Sequence, residues 1–102
     1  MPIDHNRLRE DLQVLVGERH PITSPNRLRQ TESYLHHCFS EAKLSVTTQP
    51  FLALGNTFHN VIGTVRPEKR SSQSTTPLII AAHFDTVEGS PGADDNASAL
   101  AV

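Results

Sequence analysis

Residues 78 to 102 read LIIAAHFDTVEGSPGADDNASALAV, and this stretch decides the fold class. It opens on Leu78-Ile79-Ile80-Ala81-Ala82, a continuous apolar run with none of the polar alternation of a strand that shows one face to water. The run predicts a central strand covered on both faces, and a covered strand needs layers above and below it, so the class is α/β. His83 and Asp85 follow at the strand's C-terminal end, two positions apart and therefore on one face. In open α/β sheets that end is where ligands bind. Gly89-Ser90-Pro91-Gly92 then reads as a loop, and Asn96 to Val102 as the start of a helix.

Working upstream, Ser45-Val46-Thr47-Thr48-Gln49 is rich in β-branched residues and bounded by Pro50, which predicts a strand. Gly55-Asn56 signals a turn, and Thr57 to Val65 predicts the next strand. The stretch from Arg66 to Pro77, with its serines and threonines, predicts an exposed loop over about 67–77 that is the first place for proteolysis. Before the strands come two helical patterns. Leu8, Leu12, Leu15 and Val16 form the apolar stripe of a helix capped by Asp4 and ended by Gly17. Ser24-Pro25 is an N-cap followed by proline at the first helical position, opening a helix to about Lys43 whose apolar face holds Leu28, Leu35, Cys38, Phe39 and Ala42. Cys38 lies on that stripe and reads as a packed core thiol. The order is thus two leading helices, about three strands and the beginning of another helix.

Composition narrows the function classes. At 102 residues the chain is at most one small domain, and 36% apolar with 20% charged residues is ordinary for a globular one. A net charge of −2 excludes a generic basic nucleic-acid binder, and no apolar stretch reaches the roughly 20 residues of a membrane helix. The N-terminal MPIDHNRLRE lacks the apolar core and cleavage site of a secretory signal, which makes the expected location cytoplasmic. A single cysteine excludes an internal disulfide. The charge is unevenly spread. Residues 1–82 hold all nine Lys and Arg against seven acids, leaving +2, whereas residues 83–102 hold Asp85, Glu88, Asp94 and Asp95 with no base, leaving −4. A run of uncompensated carboxylates is most often a solvated face or loop, but next to a histidine it is also what a bound divalent cation requires.

Two clusters carry that chemistry. A carboxylate at Asp85 can accept the second N–H of His83 and leave the other ring nitrogen for a metal, although a strand-end histidine hydrogen-bonded for stability alone shows the same pair. Asp94-Asp95-Asn96 places two carboxylates and an amide at a helix start, where one acid would serve for capping and the helix dipole. Imidazole with hard oxygen donors suits zinc, manganese or cobalt, and a carboxylate's two oxygens can bridge two metals. The remaining histidines, His5, His20, His36, His37 and His59, precede this region. His36-His37 is adjacent rather than at the i, i+4 spacing that puts two helical ligands on one face.

The run His83-Phe84-Asp85-Thr86-Val87, followed by Pro91-Gly92-Ala93-Asp94-Asp95-Asn96-Ala97-Ser98-Ala99, resembles the first metal-binding half of zinc-dependent aminopeptidases of the aminopeptidase Y and bacterial leucyl aminopeptidase type, the twenty-eighth metallopeptidase family. Arg19, the Thr31-x-x-Tyr34-Leu35 helix and Asn60-Val61-Ile62-Gly63 are similar to that family's leading part. The resemblance implies that the chain is the N-terminal portion of a mixed-sheet, zinc-exopeptidase-like three-layer domain, incomplete over 1–102. It implies that His83 ligates one metal, that Asp95 bridges two, that Asp85 orients His83, and that the peptide after Asp95 is cis. It implies two zinc ions, other divalent metals being possible, and a peptide substrate with a free N-terminus, with no nucleic acid and no membrane as partners.

The general-base glutamate, its neighbouring glutamate ligand, a further acidic ligand and a second histidine lie downstream of this motif in the family and have no counterpart in the chain. The isolated 102 residues are therefore expected to be inactive and to bind zinc weakly. Two alternatives remain open at this point: a related zinc-fold enzyme such as a glutaminyl cyclase or a carboxypeptidase or deacylase, and a truncated non-catalytic interaction domain.

Overall fold

A computed structural model describes residues 4–65 and 78–102. The element order is α1 (His5–Leu15), α2 (Pro25–Glu41), β1 (Ser45–Ala53), β2 (Asn56–Thr64), a wide turn at Ala93–Ala97 and the short helix α3 (Ser98–Ala101). This is the expected α/β succession of two helices, strands and a helix start. The chain divides into two compact units, Met1–Thr31 with Ala81–Val102, and Glu32–Ile80.

In the first unit α1 starts where the sequence predicts. The carboxylate of Asp4 accepts the N–H groups of Asn6 and Arg7 at 3.0 and 3.2 Å, satisfying donors that the first helical turn leaves free. The apolar stripe buries progressively toward the helix end, from half-buried Leu8 and Leu12 to Leu15 at 1% exposure. The chain leaves the helix at Val16, and the N–H of Gly17 reaches the carbonyl of Pro91 at 2.7 Å. α2 opens on Pro25 as its sequence requires, since proline has no N–H to lose at that position. Leu28 and Ala97 complete the buried apolar set of this unit, alongside the buried polar residues Arg19, Thr31 and Thr86.

The second unit is built on an antiparallel ribbon with Ser45 opposite Thr64 and Ala53 opposite Asn56. Its turn lies one residue earlier than the Gly55-Asn56 signal predicts: Leu54 and Gly55, at φ 52° and 75°, are the two central residues. Such paired positive φ values give the turn the twist that matches the strands it joins. Pro50 does not end β1 but stands within it opposite His59. A two-stranded ribbon tolerates proline because each strand has a free edge for the missing N–H. Phe51 and Phe58 face each other across the strands with ring centres 5.9 Å apart. Gly63 is a point of close approach, since a Cβ there would stand 2.8 Å from Leu44 Cδ1 and 2.9 Å from Phe39 Cδ2. Leu35, on the middle of α2, is buried, and Cys38 beside it is half-buried as a packed thiol should be. Ala42, expected on the same face, is exposed and lies past the helix end.

The strand predicted over Leu78–Ala82 is where the structure departs from the reading of a covered central strand. Among the described residues this segment has no ladder partner, and Leu78, Ile79 and Ile80 are 87%, 83% and 89% exposed. An apolar run states the environment a segment favours, but a strand exists only beside another strand, and the described residues put none there. The loop expected over 67–77 falls outside the described residues. Among those described, no helix is long and apolar enough to cross a membrane.

Candidate metal centre

The candidate site is described within the first unit, where its frame is Arg19. Its side chain is fully buried, at 0% exposure. The guanidinium donates from Nε to the carbonyl of Phe84 at 2.8 Å, and from Nη1 to the carbonyls of Gly17 at 2.8 Å, Pro91 at 3.4 Å and Leu15. Nη2 donates to the carbonyl of Gly92 at 3.3 Å. The backbone is tied as well, because Arg19 N–H donates to Thr86 Oγ1 at 2.8 Å and Thr86 N–H returns to the carbonyl of Arg19 at 3.1 Å. A planar cation with five fixed donors can satisfy several carbonyls at once, which a lysine could not do. Burial pushes the guanidinium's pKa below its ordinary value, with Arg27 adding to that shift and Asp85 opposing it.

Gly92 is required at its place. It sits at φ 63°, and a Cβ would meet Thr86 Cγ2 at 2.4 Å and Arg19 Nη2 at 2.9 Å. From Gly92 the chain makes the wide turn, closed by Ala97 N–H to the carbonyl of Gly92 at 2.9 Å. Asp95 and Asn96 within it are not helical, at φ −115° and −143°, so α3 begins at Ser98, two residues later than the expected Asn96. The Asp95–Asn96 peptide is cis, at the bond where the resemblance implies it. A second brace comes from Glu18, whose carboxylate accepts the N–H of Gly89 at 2.5 Å and the hydroxyl of Thr23 at 2.8 Å. The bond from Gly89, then those from Thr23 and Ser24, lower its pKa.

This frame brings His83, Asp85 and Asp95 together. His83 Nδ1 lies 3.2 Å from Asp85 Oδ1 and 3.1 Å from the Asp85 carbonyl, while Nε2 lies 2.8 Å from Asp95 Oδ1. All three side chains are open to solvent, His83 at 51%, Asp85 at 53% and Asp95 at 72% exposure. Both ring nitrogens therefore face acceptors, which a neutral imidazole with one N–H can satisfy only in part. Burial lowers the ring's pKa, but the bond to Asp95, the Asp85 carbonyl, the Asp95 charge and the Asp85 side chain together outweigh it and raise the pKa above its usual value. The negative potential that favours the protonated ring also favours a bound cation at the same place.

The donor set fits zinc in kind. Two ligand atoms on one tetrahedral zinc stand about 3.3 Å apart, given metal–ligand bonds of about 2.0 to 2.1 Å, so Nε2 and Asp95 Oδ1, hydrogen-bonded at 2.8 Å, would separate by about half an ångström to share one. With Asp85 on Nδ1, the ring is turned so that Nε2 is the free ligating nitrogen once its proton leaves. The set is not closed, however. Among the described residues no group of three or more His, Cys, Asp or Glu is arranged to hold a metal ion.

The neighbours of this trio have structural work. Asp94 uses its carbonyl to accept the Ser98 hydroxyl at 3.1 Å, and Asn96 Nδ2 donates to the His83 carbonyl at 3.5 Å. His20 Nδ1 accepts the N–H groups of Ile22 and Thr23, His37 pairs with Glu41, and His59 pairs with Glu32 at 3.3 Å.

Residues 60–102 match peptidase family M28. That similarity covers less than half of the chain. It takes in His83, Asp85 and Asp95 and leaves out Arg19, so the resemblance drawn upstream of Asn60 lies beyond it. No curated protein and no solved structure matches the chain. Sequence reading anticipated the trio but missed the part played by Arg19 and Glu18. Their partners in the site segments are backbone groups 65 to 73 residues away, and the local sign was a charged pair set directly after Gly17.

Proposed function

We propose that residues 1–102 supply the first metal-binding motif of a zinc-dependent aminopeptidase, in which His83 ligates one metal, Asp95 bridges two, and Asp85 orients His83. The observation that carries this reading is His83 held between two carboxylates inside the segment that matches peptidase family M28. Bound zinc would supply a water of lowered pKa and polarise the scissile carbonyl. Asp85 accepts the Nδ1 proton and fixes the ring. Asp95, exposed to solvent, offers two oxygens that a metal and an approaching peptide with a free N-terminus can reach. Such a centre also needs a general base and further ligands, which this reading assigns to residues other than these 102. A related activity on this site, cyclisation or removal of C-terminal residues, would be set by those other residues.

The test is hydrolysis by the intact protein of a leucine anilide beside its N-acetylated form. The reading predicts release from the free amine only, loss with a chelator, and a fall of at least a hundredfold with His83→Ala or Asp95→Asn. Equal cleavage of the acetylated substrate would remove the aminopeptidase assignment, and full activity in both variants would remove the metal assignment.

A further inference from the structure

We propose that Arg19 is the positioning residue of this metal centre, setting the separation between His83 Nε2 and Asp95. The proposal rests on the metal reading above. His83 and Asp85 flank Phe84, whose carbonyl accepts from Arg19 Nε at 2.8 Å, so the segment bearing both side chains is gripped at its middle. Asp95 lies three residues after Gly92, whose carbonyl accepts from Nη2 at 3.3 Å, with the Pro91 carbonyl shared by Nη1. One rigid planar group thus spans the two segments that carry the trio. The same group is anchored to the end of α1 through the carbonyls of Leu15 and Gly17. Thr86 locks the backbone of Arg19 by a reciprocal pair of bonds.

Three features separate this from general core packing. The side chain is completely buried, yet its donors go to backbone carbonyls of the site segments, and among the described residues no acid forms an ion pair with it. The space around Nη2 is tight enough that a single methyl at Gly92 would intrude at 2.9 Å. The trio itself is exposed, so its geometry is not fixed by burial of its own side chains and depends on what holds the backbone beneath. Outer partners that orient ligands typically change metal affinity ten- to a hundredfold when lost.

The experiment is a Co²⁺ titration of the intact protein followed by visible absorption, comparing wild type, His83→Ala, Arg19→Lys, Thr86→Val and Leu35→Ala. Arg19→Lys keeps the charge but cannot reach the Phe84 and Gly92 carbonyls together. Thr86→Val keeps the shape, frees the Arg19 backbone, and serves should Arg19→Lys fail to fold. Leu35→Ala lowers stability in the other unit. The proposal predicts at least tenfold weaker Co²⁺ binding and altered d–d bands for Arg19→Lys, severalfold weaker binding for Thr86→Val, and an unchanged spectrum and affinity for Leu35→Ala. Wild-type affinity and spectrum in a folded Arg19→Lys, or in Thr86→Val should Arg19→Lys not fold, would overturn it, as would an equal loss in Leu35→Ala. If wild type and His83→Ala titrate alike, the metal reading fails. The positioning claim is then read by nuclear Overhauser contacts between the His83 ring and the Asp95 methylene in the metal-free chain. Their loss in Arg19→Lys but not in Leu35→Ala supports it, and their persistence in Arg19→Lys overturns it.

Discussion

Around Arg19 the chain is held by a side chain bonding to distant backbone carbonyls, whereas the ribbon of β1 and β2 is held by a ladder between strands joined by a two-residue turn. The first arrangement gathers segments remote in sequence and can place two carboxylates around one imidazole. The second needs almost no long-range information. The difference teaches that in this protein the site's geometry is a tertiary property resting on a few polar contacts, while the ribbon is a local one resting on strand pairing.

The comparison breaks most sharply at Arg19. Arg19→Met removes the donors to the carbonyls of Leu15, Gly17, Phe84, Pro91 and Gly92, and should cost on the order of 4 kcal/mol. Hydrogen exchange should show lost protection at the amides of Gly17 and Thr86, which bond to Pro91 and Arg19, with the β1–β2 amides unchanged. Equal loss in both places would mean the two units share one cooperative transition.

Gly92→Ala should act in the same unit with a smaller effect. It combines an unfavourable positive φ with a Cβ 2.4 Å from Thr86 Cγ2, for about 2 to 3 kcal/mol. Gly63→Ala is its counterpart in the ribbon unit, where Leu44 and Phe39 must give way at a cost of about 1 to 2 kcal/mol. Exchange at β2 amides should rise while residues 81–102 keep their protection.

Smallest is a pH effect at Glu18. Its folded pKa is lowered chiefly by the Gly89 N–H, so its contribution is present above the ordinary carboxylate pKa and is lost as pH falls through the lowered folded value. The protection factor of the Gly89 amide should fall across that acid window, and Glu18→Gln should remove the pH dependence. A Gly89 protection factor that is flat with pH in the wild type would contradict the assignment.

Much of the local structure was legible. The Asp4 cap, the Pro25 start and the change of period after Ser45 each rest on neighbours within a few residues, and each appears where the residues place it. The hairpin turn slipped by one because Leu54, a residue that rarely takes positive φ, does so here. The apolar content of Leu78–Ala82 predicts a covered strand, but content does not supply a neighbour to pair with. The meeting of His83 with Asp85 was accessible from their spacing, and that with Asp95 through the family resemblance. The role of Arg19 was not, because carbonyl acceptors belong to every residue and leave no mark in a sequence.

The most direct test of the central claim is a crystal structure of the intact protein with data collected at the zinc absorption edge. The account predicts an anomalous peak about 2.0 to 2.2 Å from both His83 Nε2 and an Asp95 oxygen, with Asp85 still on Nδ1. A saturated crystal with zinc elsewhere and His83 Nε2 still bonded to Asp95 would contradict it.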